Sequence, residues 1–343
     1  MQLGDPLQQV SRIMVALDPC RPAVEAAVES RCQLLVTHHH FLFSPLKKIS
    51  AADETGRLAI LALKNDLAII SLHTNFDIAQ GGVNDLLAER LGVRAAQPLK
   101  ITGGDELVKM AFFAPHACEE KILGALSPFM APIGNYRDCS FQGDGVGRFT
   151  PLAGAKPFVG EVGTGHREPE SRVEFLLQKE RVAAAVAALK GVHPYEEPAY
   201  DLYPVLNRGA SWGLGRIGHL DAALGAAEFA RLVKERLSAT GVRLVGDPAR
   251  QVRKVALCGG SGASLIHEAV RKGADILVTA DIKYHEAREA EALGLCVLDA
   301  GHFSTEHPMV EGLAAQLTGA MQAKKFDAEV VQCQGEREPF SFW

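Results

Sequence analysis

The sequence predicts an α/β fold in which two related α/β halves form one body, interrupted by an inserted α+β domain with a ferredoxin-like order of elements. Two observations carry this: short β-branched runs alternate with amphipathic helical stretches at both ends of the chain, and the middle has a different order. Taken in sequence, Ile13–Leu17, Leu34–Thr37 and Leu67–Leu72 read as strands. Helices are expected at Ala23–Arg31 and Arg57–Asn65 between them, and at Val83–Leu91 after them. Near the end the order returns, with strands at Val255–Cys258, Ile276–Thr279 and Cys296–Asp299 and helices around Ser264–Lys272, His285–Leu293 and Met309–Leu317. Between these halves, Val108–Ala114, Cys118–Phe129, a Gly-rich section, Arg172–Leu177, Arg181–Leu189 and Ala199–Tyr203 follow a β-α-β-β-α-β order, which predicts a small antiparallel sheet with helices on one face. The expected division is 1–104 for the first half, 105–204 for the insert and 205–343 for the second half.

The return has the character of an internal repeat. One spacing of 242 residues carries Val10 to Val252, Ala27 to Ala269, Val28 to Val270, Val36 to Val278 and Thr37 to Thr279. After the next strand the spacing becomes 229, and His73-Thr-Asn-Phe-Asp77 aligns with His302-Phe-Ser-Thr-Glu306. Common βαβ packing rules produce similar patterns without duplication, but a His-x-x-x-acid at the same strand end in both halves is harder to obtain that way.

The chain has 343 residues, 47% of them hydrophobic, enough for more than one core. A net charge of -5 supplies no basic field of the kind that binds phosphate backbones, so nucleic acid is not favoured as a partner. Seven cysteines lie far apart with no Cys-x-x-Cys pair, and Cys258 and Cys296 sit in apolar strands. Met1–Pro6 lacks the form of a leader, and no apolar run approaches the length of a membrane span. These features predict a soluble cytoplasmic protein.

The sharpest chemical signal is Val36-Thr37-His38-His39-His40, three imidazoles after a buried strand, where active residues of open α/β sheets collect. Capping or surface placement is the alternative. His73 and Asp77 follow a strand, as do His302 and Glu306, so nitrogen and carboxylate oxygen can converge on one sheet edge. Without thiolate, such a set suits Zn, Fe, Mn or Co. A carboxylate has two oxygens and can bridge a metal pair about 3.5 to 4 Å apart, and Glu306 is the candidate for that bridge. Ordinary helix N-terminal placement is the alternative for Asp77 and Glu306. Leu257-Cys258-Gly259-Gly260-Ser261-Gly262 either cradles a phosphate or only permits a tight turn, and the turn is favoured because neither a Walker A lysine nor a full G-x-G-x-x-G is present. Asp281, Tyr284 and His285 follow the repeat equivalent of the His38 strand and either stand behind the ligands of the same pocket or serve packing alone.

Leu35-Val36-Thr37-His38-His39, His73-Thr-Asn-Phe-Asp77, Ala256-Leu-Cys-Gly-Gly-Ser-Gly262, Asp281-Ile-Lys-Tyr-His285 and Asp299-Ala-Gly-His302 with Glu306 resemble the family of GTP cyclohydrolase 1 type 2 homologues, the NIF-three-like dinuclear-metal hexameric proteins. The resemblance runs nearly end to end. The middle, with Gly134-Asn135-Tyr136, Gly160-Glu161-Val162-Gly163 and His193-Pro194-Tyr195-Glu196-Glu197-Pro198, is similar to the insert of longer bacterial members, akin to PII and CutA-like folds. The resemblance implies two divalent metal ions on His38, His39, Asp77, His302 and Glu306, and a toroidal homohexamer with the sites facing an inner cavity. Two departures stand out: the chain starts where family members have an extra helix and a Trp-Asp-Asn-x-Gly stretch, which suggests a truncated start, and His40 replaces the usual proline after the His pair.

The expected function is metal-dependent hydrolysis of a nucleotide or related heterocycle, a small-molecule substrate, with His73 or a metal-ligating carboxylate moving the proton. The alternative is a non-enzymatic metal-holding scaffold or regulator whose insert senses a small molecule. A third possibility, action on nucleic acid inside a ring, requires a basic channel.

Overall fold

A computed structural model describes residues 1–341. Strands are β1 (Arg12–Ala16), β2 (Leu34–Thr37), β3 (Ala68–Ser71), β4 (Arg94–Pro115), β5 (Ser140–Phe149), β6 (His166–Gln178), β7 (Tyr200–Gly225), β8 (Arg243–Val245), β9 (Gln251–Ser261), β10 (Ile276–Ala280), β11 (Cys296–Asp299) and β12 (Glu329–Gln332). Helices are α1 (Arg21–Glu29), α2 (Glu54–Lys64), α3 (Thr74–Ile78), α4 (Val83–Leu91), α5 (Glu119–Leu126), α6 (Val182–Val192), α7 (Ala226–Arg236), α8 (Ile266–Arg271), α9 (Tyr284–Ala292), α10 (His302–Glu306) and α11 (Pro308–Lys324). Among the described residues no helix is long and apolar enough to cross a membrane.

The chain divides into two compact units, Met1–Thr102 with the segment from Trp212 onward, and Gly103–Ser211. The expected limit at Pro204 falls inside β7, because strands β4 and β7 continue past the ends that their apolar cores reveal: polar residues such as Asp201 and Arg208 still pair in the ladder.

In the first unit one sheet is wholly parallel, in the order β12-β1-β2-β3. The other runs β4-β7-β9-β10-β11-β8, with β9, β10 and β11 parallel, β7 antiparallel to β9, and β8 antiparallel to β11. This sheet is therefore mixed, with the apolar runs of β9, β10 and β11 forming its parallel part. On the outer face of the first sheet, Ala23, Val24 and Ala27 of α1 and Leu58, Ala59 and Ala62 of α2 pack on Met14, Leu35 and Ile69. Its other face carries Ile13, Val15 and Val36 against Met309 and Leu313 of α11. Leu87 and Leu91 of α4 and Phe229 and Val233 of α7 cover Val255, Leu257, Val278 and Leu298 of the second sheet. Each buried leucine or phenylalanine contributes about 1.5–3 kcal/mol.

The backbone repeats at the spacing seen in the sequence. Ile13 pairs with Leu34 in one sheet and Val255 with Ile276 in the other, each a displacement of 242. Ala68, opposite Leu34, corresponds to Cys296, opposite Ile276, a displacement of 228. Leu3 bridges Ile69 antiparallel just as Val245 pairs with Val297. Gly4 and Gly246 follow with positive φ of 106° and 95°. The Gln33 side chain accepts from the amides of Ser11 and Arg12, and Asp275 from those of Arg253 and Lys254. One extra residue before His302 turns 228 into 229.

The Gly103–Ser211 unit has the strand order β5-β6-β4-β7, with β6 antiparallel to both β4 and β5. Met110, Phe112, Val173 and Phe175 meet Ile122 and Leu126 of α5 and Ala185 and Leu189 of α6. Strand β5 occupies the Gly-rich section, where glycine and exposed side chains hide the strand pattern.

Candidate metal centre

The carboxyl ends of the strands of both sheets in the first unit bring the candidate residues together. His38 and His39 follow β2, His73 precedes α3 and Asp77 lies in it, and His302 and Glu306 open and close the short helix α10. Glu306, 4% exposed, stands at the centre. Its Oε1 lies 3.7 Å from His38 Nε2, and its Oε2 lies 3.2 Å from His39 Nε2 and 3.1 Å from His302 Nε2. Asp77 Oδ1 is 3.5 Å from His38 Nε2. Three triads have donor atoms within 4.8 Å of one another: His38, Asp77 and Glu306; His39, His302 and Glu306; and His38, His39 and His73. These His and acid groups could hold a metal ion.

All three rings turn Nε2 inward because Nδ1 is held from outside. His38 Nδ1 meets the Leu72 carbonyl at 2.9 Å, His39 Nδ1 meets Asp18 at 2.7 Å, and His302 Nδ1 meets Asp281 at 2.6 Å. Such outer partners fix tautomer and orientation in metal sites. Yet His38 Nε2, Asp77 Oδ1 and Glu306 Oε2 are buried with no hydrogen-bond partner, since the nitrogens approach without hydrogen-bond geometry. Buried polar atoms left this way are costly unless something binds them, and a cation accepting imidazole and carboxylate lone pairs fits the donor set.

Burial alone would raise the Glu306 carboxyl, but the His302, His38 and His39 imidazoles hold it well below the ordinary range. Burial pushes Asp77 up to about 6. For His39 burial lowers the pKa, but the Asp18 and Glu306 carboxylates outweigh it and bring it to about 10. Glu306, against burial and with help from Asp281, raises His302 to about 9. Burial and the neighbouring His38, His39 and His40 rings lower His73. The His73 ring centroid lies 5.0 Å from that of His38 and 5.7 Å from that of His39, and His40 stands outside it at 4.9 Å.

The glycine-rich segment is a bulge beside the carboxylate. Register jumps from Leu257↔Val278 to Ser261↔Ala280, so the intervening residues leave the ladder. Gly260 has φ +60°, and a Cβ there would sit 2.2 Å from Glu306 Oε1. Its amide donates to Thr305 Oγ1, and that of Gly259 to Asn84 Oδ1. These N–H groups are spent within the protein, so the tight-turn alternative holds and a phosphate cradle does not. Asn84 also donates to the Asp77 carbonyl, joining the bulge to α3. Of the residues expected nearby, Asp281 reaches His302, whereas Tyr284 and His285 are exposed and bond none of the six residues. Asp18 and Asn84 were not singled out from sequence; for Asp18 the available signal was an acid at the end of β1, on the same edge as the histidines.

The Duf34/NIF3 (NGG1p interacting factor 3) family profile matches residues 1–339. The chain belongs to this family. It is 42% identical to a GTP cyclohydrolase 1 type 2 homolog of Bacillus subtilis, covering 100% of this chain and 92% of that one. A Halalkalibacterium halodurans protein of the same name is 39% identical over 99% of this chain and 91% of its own. Among solved structures, a Bacillus cereus protein related to NIF3 superposes with TM-score 0.93 at 38% identity, covering 100% of this chain and 92% of that one. The mixed α/β fold with its two sheets is thus the fold of a NIF3-related protein.

Proposed function

We propose that this chain binds two divalent metal ions and hydrolyses a small nucleotide or related heterocycle. The observation that carries the reading is the single buried carboxylate, Glu306, with imidazole nitrogens facing each of its oxygens and with three buried donor atoms left without hydrogen bonds. His38, Asp77 and Glu306 would hold one ion, and His39, His302 and Glu306 the other, with Glu306 as the bridge. Zn, Fe, Mn and Co all suit this set. A bound metal pair supplies Lewis acidity that makes water a nucleophile near neutral pH. His73 is partly exposed beside the cluster, its pKa lowered by burial and the neighbouring imidazoles, and it would be the residue that takes up a proton there. The name shared by the Bacillus subtilis and Halalkalibacterium halodurans relatives supports a nucleotide-like substrate for this chain.

The proposed assembly is a homohexameric ring in the cytoplasm with the sites facing its cavity. We read the Gly103–Ser211 unit as a ferredoxin-like insert of the PII/CutA kind, which its strand order and two-helix packing support.

Glu306→Gln tests the centre. Elemental analysis after metal-supplemented purification is expected to give two ions per wild-type chain and to lose both in the variant, whereas His38→Ala loses mainly one. Full occupancy in Glu306→Gln sinks the bridge. A panel of nucleotides, phosphoesters and cyclic amides with Mn, Zn, Fe and Co tests hydrolysis, and a metal-loaded chain inactive on all of them favours the scaffold alternative.

A further inference from the structure

We propose that the cavity of the Gly103–Ser211 unit binds a small organic cation, a protonated amine or amidinium on an apolar or aromatic body, with Glu170 as its counter-ion. The cavity measures about 500 Å³, room for a ring-sized molecule.

Its wall is built from the His193–Pro198 segment, which takes no part in the metal centre. His193 is buried. Its Nε2 donates to the Phe113 carbonyl at 2.9 Å, and its Nδ1 accepts from the Tyr195 amide at 3.1 Å. The segment is thereby pinned, and the Tyr195 ring stands edge-on to His193 at 5.0 Å. Phe149 and Phe158 complete an aromatic lining, with centroids 6.0 and 6.2 Å from Tyr195.

Two polar groups interrupt this apolar surface. Glu170 of β6 is 7% exposed, and among the described residues no cation pairs with its carboxylate, whose polar neighbour is the Tyr195 hydroxyl. The Tyr195 hydroxyl is buried and faces that carboxylate. Burial, then the O–H directed at the Glu170 carboxylate and its charge, raise this phenol, so it stays protonated and its oxygen can still accept from a bound donor. Across from Glu170, a Cβ on Gly147 would lie 2.1 Å from Oε2, so the glycine leaves the carboxylate its room.

Charge selects the occupant. A carboxylate of low exposure without a counter-ion favours an occupant that brings positive charge to it. Glu196 also lines the cavity, as does Glu197, which Lys190 pairs at 3.1 Å, and Arg148 is the only described cation of the lining, exposed and unpaired. An anionic ligand would be repelled by Glu170 and Glu196, and a purely apolar one would leave Glu170 without a counter-ion. Aromatic faces additionally favour a cation.

Ligand-observed NMR titration of the full chain with benzamidine, benzyl alcohol and benzoate tests this. Saturable binding of benzamidine is expected, at least tenfold tighter than benzyl alcohol, with benzoate not bound. Glu170→Gln is expected to weaken benzamidine about 10- to 100-fold, because it removes a charge-assisted bond. Tyr195→Phe should weaken it less, and Gly147→Val should abolish binding by filling the space. Unchanged metal content and thermal midpoint check that each variant is folded. The proposal is overturned if benzoate or benzyl alcohol binds the wild type as well as benzamidine, if benzamidine does not saturate, or if folded Glu170→Gln binds it undiminished. The comparison of the three probes on the wild type decides without any variant.

Discussion

Metal binding should be strongly coupled to pH, and the structure gives the sign and size of the coupling. Asp18 and Glu306 outweigh burial to raise His39 to about 10, and Glu306 raises His302 to about 9. Both imidazoles are therefore protonated in the metal-free chain at neutral pH. A ligand nitrogen must lose its proton to bind metal, so filling the site releases close to two protons. Apparent affinity should then rise about 100-fold per pH unit between pH 7 and 8.5, or about 2.7 kcal/mol per unit. Asp77, raised to about 6 by burial, is ionised throughout that window and adds a further proton only below it. Calorimetric titration with Zn or Mn in buffers of differing ionisation enthalpy counts the protons. Release of fewer than about half a proton, or affinity flat between pH 7 and 8.5, refutes the reasoning. Stability follows the same linkage. Because both folded pKa values lie above the unfolded value of about 6.5, their contribution is fully present below pH 6.5 and is lost as pH rises through 9 to 10. The melting midpoint of the metal-free chain should fall across that range.

Other expectations follow from single contacts. Gly260→Ala places a Cβ 2.2 Å from Glu306 Oε1 at φ +60°, and should lower stability by about 2 kcal/mol or more together with metal content; Gly273→Ala, with φ +69° but open space, should cost about 1 kcal/mol and leave metal untouched. Thermal melts and elemental analysis of both separate crowding from backbone strain, and equal effects would reject the account of the bulge. Asp281 has φ +57°, which asparagine tolerates, so Asp281→Asn should fold normally yet bind metal about 10- to 100-fold more weakly because His302 loses its anionic partner. Unchanged affinity in a competition titration would remove that role. Replacing residues 103–211 by a short Gly-Ser linker should leave metal binding intact: a Cβ on Gly213 would come within 2.1 Å of the Lys100 carbonyl, so the two strand ends already run side by side. A folded chain without metal would show that the centre needs the insert.

The sequence by itself determined the α/β alternation, the 242-residue repeat and the residue types of the candidate centre, because these are matters of local periodicity and spacing. The His38-His39 pair after an apolar strand and the twin His-x-x-x-acid segments can be read without knowing where either lies in space. The bounds of β5 within the Gly-rich section and the full lengths of β4 and β7 escaped that reading, since glycines and exposed polar residues carry no alternation for a pattern to detect. Tertiary structure alone decided that the halves form two separate sheets, one parallel and one mixed. It also decided which nitrogen of each histidine faces Glu306. That choice rests on the Leu72 carbonyl and the Asp18 and Asp281 carboxylates, the latter two 21 residues from the rings they hold. The burial that perturbs Asp77 and leaves Glu170 without a counter-ion arises the same way, from side chains that meet only when distant strands pack. Spacing along the chain carries identity and period; which atoms lose water, and which find a partner, is fixed by packing.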